Sequence, residues 1–138
     1  MPKTYNLFIS HSWAYSDAYD KLVSLLNASL FFDYKNFSVP KNDPIHTRGT
    51  DRELAEAIET QMRPCHIVLI MAGVYSTYSK WINKEIRIAK NNFSVPKPIL
   101  AVRPWGQERT STVVNDAADG FAAWNTQSIL GKIRELSI

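Results

Sequence analysis

The sequence predicts an α/β doubly wound domain, a parallel sheet of about five strands with helices packed on it. Two observations carry that prediction. Short apolar runs alternate with stretches of helical periodicity along the whole chain. The run Cys65–Ala72 is continuously apolar from Ile67 on, with no polar alternation, the pattern of a strand covered on both faces. At 138 residues, a single domain over 1–138 is expected.

Tyr5–Ile9 is a short strand-like run that ends in the polar turn Ser10-His11-Ser12. Tyr19, Leu22, Val23, Leu26 and Leu30 then recur at helical spacing and give an amphipathic helix from about Asp17. The aromatic cluster Phe31-Phe32-Asp33-Tyr34 opens a second strand and runs into a turn-rich loop around Asn42-Asp43-Pro44 that lasts to Gly49. Thr50-Asp51-Arg52-Glu53 reads as a capping box. The helix it starts offers Leu54, Ala55, Ile58 and Met62 to a core and stops at Pro64. Cys65–Ala72 is the third strand, Ser79–Asn91 a further helix and Pro98–Val102 a second buried strand. A short helix over Ser111–Ala118, an edge strand over Phe121–Trp124 and a closing helix over Thr126–Leu136 complete the order. In parallel sheets of this kind ligands sit beyond the carboxyl ends of the strands.

Composition removes several classes of function. Sixteen Lys and Arg against thirteen Asp and Glu leave a net charge of +3, too small and scattered to imply a nucleic-acid partner. A hydrophobic content of 45% fits a folded domain rather than a disordered one. The longest apolar run, Ile67–Val74, falls far short of the ~20 residues of a membrane span. The single Cys65 cannot form an internal disulfide, and Met1–Asn6 lacks the apolar segment of a signal peptide. A cytoplasmic setting is therefore expected. The five glycines lie far apart, which excludes a glycine-rich phosphate loop. No Gly-x-Ser-x-Gly elbow is present. His11, His46 and His66 lack metal-ligand spacing, so no metal is expected. Cys65 and His66 read as a packed pair at the start of a buried strand. The hexapeptide Asn-Phe-Ser-Val-Pro-Lys occurs at both 36–41 and 92–97, in two different contexts, and is too short to be a structural repeat.

The informative helix is Ser79–Asn91. Ile82, Ile86 and Ala89 are expected to meet the sheet, with Lys80, Lys84, Arg87 and Asn91 in solvent. Trp81, Glu85 and Ile88 form a stripe between these faces, and no basic residue stands three or four positions from Glu85. A carboxylate in such a stripe is an active-site candidate, because burial disfavours its charged form. The structural alternatives are pairing with a basic group elsewhere, such as Arg103, or a reach to solvent at the edge of the stripe. For Trp81 the alternative is ordinary core packing.

Tyr5-Asn6-Leu7-Phe8-Ile9-Ser10-His11-Ser12 resembles the opening strand motif of Toll/interleukin-1 receptor (TIR) domains, and Trp81-Ile82-Asn83-Lys84-Glu85 resembles their Trp-x-x-x-Glu helix. The segments Asn36–Ile45, Lys97–Arg109 and Trp124–Ile129 are similar to the bacterial ThsB-like branch found in Thoeris antiphage systems. The resemblance implies a flavodoxin-like TIR fold and an enzyme that cleaves the nicotinamide–ribose bond of NAD. NAD would be the substrate, with no separate cofactor. An ADP-ribose-derived product, cyclic or conjugated, would then activate a separate effector protein, and self-association of the TIR domain would be expected. In that reading Glu85 is catalytic and stabilises the oxocarbenium-like transition state. Trp81 forms an aromatic wall; Ser10, His11 and Ser12 line the ribose and phosphate site, and Asp43 lies in the loop over it. Ser10–Ser12 would otherwise cap the following helix, and Asp43 before Pro44 would otherwise form a plain turn. Many TIR domains carry more basic residues in the first-strand turn, where this chain has His11. The competing reading is a non-catalytic TIR scaffold that binds other TIR domains. A TIR-like nuclease ranks last, for want of clustered acidic residues near the strand ends.

Overall fold

The computed structural model describes residues 4–10, 16–29, 32–38, 50–71, 80–103 and 112–138, with residues 16–18, 80, 81 and 112 described by their backbone alone. In chain order the elements are β1 (Thr4–Ile9), α1 (Ser16–Asn27), β2 (Asp33–Asn36), α2 (Asp51–Met62), β3 (Ile67–Met71), α3 (Lys80–Asn91), β4 (Ile99–Val102), α4 (Thr112–Ala117), β5 (Gly120–Ala122) and α5 (Thr126–Leu136). The five strands form one sheet in the order β2-β1-β3-β4-β5. Every pairing is parallel, with Phe8 opposite Val68 and Leu69 opposite Leu100. This is the flavodoxin-like doubly wound order, whose strand sequence reverses between β1 and β3.

Right-handed crossovers assign the helices to faces. β1–α1–β2 runs one way across the sheet, whereas the later crossovers run the other. Accordingly α2 packs on α3 and α3 on α4, while α5 returns to pack on α1. Coverage on both faces explains why all of β3 and β4 is buried, as the unbroken apolar runs require. The core joins Leu7, Phe8 and Ile9 of β1 to the side chains of β3 and β4, with Leu22, Leu26, Ile58, Met62, Ile82, Ile129 and Ile133 from the helices.

Helix α2 begins as its sequence predicts. Thr50 Oγ1 accepts the Glu53 N–H at 3.1 Å, and Glu53 Oε1 accepts the Thr50 N–H at 3.4 Å. Two otherwise orphaned donors are satisfied. Thr50→Ala is expected to lower stability by about 1 kcal/mol, read as a shift of the urea midpoint with the m-value unchanged.

One boundary differs from expectation. The second strand opens within the aromatic cluster, at Asp33. Phe32 stacks between Tyr5 at 5.4 Å and Tyr34 at 5.6 Å, ahead of the pairing of Asp33 with Thr4. Phe32 thus covers the start of the ladder in which Tyr5 and Tyr34 are themselves paired. The edge strand is shorter than expected and ends at Ala122, since Asn125 caps α5 by accepting the Ser128 N–H at 2.8 Å.

The repeated hexapeptide does two unrelated jobs. In the first copy the Phe37 N–H donates to the Leu7 carbonyl at 2.9 Å, and Ser38 Oγ accepts the Ile9 N–H at 3.2 Å. The second copy is the turn from α3 to β4. Its Lys97 is buried and donates from Nζ to the carbonyls of Arg63 at 2.8 Å and Cys65 at 2.9 Å. An ammonium there satisfies carbonyls left over at the end of α2.

Cys65 beside it is a core residue, 1% exposed. His66 lies nearer the surface, where Nδ1 accepts the Asn6 N–H at 2.9 Å. Only the cysteine is fully packed away. Burial pushes the Cys65 thiol up to about 12, against an opposing pull from Lys97. Between pH 9 and 12 the folded chain therefore holds a proton at Cys65 that the unfolded chain releases. This contribution to stability is complete below pH 9 and declines as pH rises towards 12, by at most about 4 kcal/mol. Burial lowers the Lys97 ammonium, which works in the opposite sense at alkaline pH. Cys65→Ala is expected to flatten the loss of stability between pH 9 and 11, measured by denaturant titration at each pH. A slope equal to that of the parent would remove the thiol from the account.

Candidate active site

The site is built where the strand order reverses. β1 ends at Ile9, and Ser10 follows as the first residue beyond the ladder. Its backbone N–H still donates to the Leu69 carbonyl of β3 at 3.0 Å, so its position is set by the two central strands. Glu85 lies on α3, the helix that follows β3. Ser10 Oγ donates to Glu85 Oε1 at 2.8 Å across 75 positions of sequence. Both residues are 0% exposed.

The orientation of α3 corrects the expected face assignment. Ile82 and Ala89 are buried as expected, but Glu85 and Ile88 join them, whereas Ile86 is only half-buried. The buried arc is centred on Ile82, Glu85 and Ile88–Ala89 instead of on Ile82, Ile86 and Ala89. Contact with α2 and α4 widens the part of α3 that is covered, and the Ser10 hydroxyl gives the carboxylate a polar partner inside it. Of the structural alternatives for Glu85, the reach to solvent does not hold. Arg103 is exposed, with its guanidinium 4.8 Å from the centre of the Phe121 ring. Lys84 and Arg87 lie away from the core, Lys84 within 4.0 Å of Asp51.

Of the residues singled out in the sequence, the structure brings Ser10 and Glu85 together. Trp81 stands one turn before Glu85 on α3 by its backbone. His11, Ser12 and Asp43 lie outside the described residues. The serine–glutamate bond could not be read from the sequence, because no local spacing links positions 10 and 85. The signals were separate ones: Ser10 at the carboxyl end of a strand, and Glu85 in an apolar stripe of a later helix.

The arrangement presents a carboxylate, aimed by a hydroxyl, at the position where doubly wound sheets bind ligands. A separate groove of about 540 Å³ lies between the end of α1 and α5, lined by Ala28, Ser29, Thr126, Gln127, Leu130, Gly131 and Arg134. It belongs to the other helical layer, and its lining holds no carboxylate or imidazole. Among the described residues, no group of three or more His, Cys, Asp and Glu is placed to hold a metal ion. No helix among them is long and apolar enough to cross a membrane.

The family model described as "Thoeris protein ThsB, TIR-like domain" matches residues 8–109, a span that includes both Ser10 and Glu85. The chain belongs to the ThsB TIR-like domain family. Comparison with curated proteins gives no match. Among solved structures, the response regulator domain of Thermotoga maritima CheB is similar over 97% of this chain and 96% of that one, at 13% identity and a TM-score of 0.47.

Proposed function

We propose that this ThsB-family TIR-like domain consumes NAD, cleaving the bond between nicotinamide and ribose and yielding an ADP-ribose-derived signalling nucleotide in antiphage defence. The observation that carries this reading is Glu85, a buried carboxylate fixed by Ser10 at the reversal point of the sheet. The chemistry asks for little else. Nicotinamide in NAD is a cationic pyridinium, so when the C1′–N bond breaks the bonding pair returns to nitrogen and the ring leaves neutral. No acid is needed to protonate it. Positive charge grows on the ribose instead, and a carboxylate beside it stabilises that charge as it develops. Water as acceptor gives ADP-ribose and releases a proton; a nitrogen of the same or another nucleotide gives a cyclic or conjugated product.

A specific observation favours a second reading. Glu85 and Ser10 are both shut off from solvent, so substrate meets the carboxylate only after the packing over it opens. A TIR scaffold without activity would tolerate permanent closure. In the enzymatic reading the isolated chain turns over slowly until a trigger or self-association opens the site, and the product acts on a separate effector.

Mass spectrometry of every nucleotide formed from NAD by the purified protein separates the readings. Nicotinamide together with ADP-ribose, a cyclic product lighter than ADP-ribose by one water, or a conjugate supports the enzyme. NAD left intact both by the purified protein and in infected-cell lysate containing it supports the scaffold.

A further inference from the structure

The Ser10 hydroxyl sits 2.8 Å from Glu85 Oε1 in a region closed to solvent. Its origin on the backbone is unusually well determined. The Ser10 N–H is tied to Leu69, and the preceding Ile9 N–H is tied to Ser38 Oγ. The hydroxyl therefore projects from a fixed point just beyond the end of β1, whereas the glutamate side chain has three rotatable bonds between its carboxylate and α3. A hydroxyl donating to a carboxylate makes a charge-assisted bond, short and directional, and it favours the ionised form of the acceptor. We propose that Ser10 is a positioning residue, one that holds the Glu85 carboxylate in its working orientation and acts on the substrate only through it.

This assignment rests on the reading that Glu85 meets the ribose, and it gives Ser10 a part different from lining the substrate site. A residue in contact with ribose or phosphate contributes mainly to binding. A residue that aims the carboxylate contributes where charge develops, in the rate of the chemical step.

The test uses Ser10→Ala, Ser10→Cys (similar in shape, a poor donor) and Ser10→Thr (which restores the hydroxyl), each checked for native near-ultraviolet circular dichroism. The side-chain carboxyl ¹³C resonance of Glu85 is assigned by its absence in Glu85→Gln. With Ser10→Ala and Ser10→Cys, kcat for NAD is expected to fall by about tenfold while KM stays within about twofold. The Glu85 resonance is expected to move in the same two variants, and Ser10→Thr to recover both readouts. An unmoved resonance in Ser10→Ala, or a raised KM with kcat intact, would overturn the positioning role. If Glu85→Gln consumes NAD at the parent rate, the functional reading fails instead, and the resonance still decides whether Ser10 holds the carboxylate.

Discussion

Glu85→Gln is expected to lower NAD turnover by about three orders of magnitude while leaving the fold intact. A unit negative charge about 4 Å from the developing ribose cation is worth about 4 kcal/mol at an effective dielectric near 20. Each ~1.4 kcal/mol is tenfold in rate. Glutamine keeps the volume and can still accept the Ser10 hydroxyl through its carbonyl oxygen, so the packing of α3 on the sheet survives while the charge is lost. The measurement is nicotinamide release by purified parent and variant at equal concentration, with circular dichroism and urea midpoints recorded alongside. Undiminished turnover by a folded variant would remove Glu85 from the chemistry. A variant that loses both fold and turnover would show that the carboxylate serves the core, a result the 0% exposure of its side chain makes worth excluding.

The largest effect on stability is expected from Phe8→Ala. Phe8 is 1% exposed near the carboxyl end of β1, paired in register with Val68, and is among the largest fully buried side chains of the core. Truncating a buried Phe costs about 3–5 kcal/mol, through lost transfer energy and the cavity left behind. Against a typical total of about 5–15 kcal/mol, that leaves a marginal domain. Urea denaturation followed by fluorescence should show a midpoint lowered far beyond that of Thr50→Ala. A loss below about 1 kcal/mol would mean that the neighbouring core collapses into the space. The two variants fail differently: Phe8→Ala loses function by unfolding, and Glu85→Gln loses it while folded.

Much of the fold was legible in the sequence because its signals are local. The capping box at Thr50, the all-apolar run of β3 and the spacing of Leu22 and Leu26 on α1 each report an element within a few residues of itself. The site was legible only in part. Glu85 stood out because no basic residue lies three or four positions away on its own helix, but whether that marked a buried group or a solvated edge depended on the rotation of α3. The role of Lys97 was not legible at all. Nothing in a second copy of Asn-Phe-Ser-Val-Pro-Lys announces a buried ammonium on the end of α2, and in the first copy it is the serine, Ser38, that accepts a backbone N–H of the sheet.

The sequence by itself determined which segments are strands and helices, that the sheet is parallel and covered on both faces, and that a carboxylate would stand among apolar side chains on α3. These follow from periodicity, capping and unbroken hydrophobicity, which act over a turn or two of chain. The tertiary structure alone decided that β1 and β3 lie side by side at the reversal of strand order and that α3 turns Glu85 inward. It also brought Ser10, 75 residues away, within 2.8 Å of that carboxylate. The reason is physical: the cost of burying a charge, and the hydrogen bond that offsets it, exist only once distant segments exclude water together.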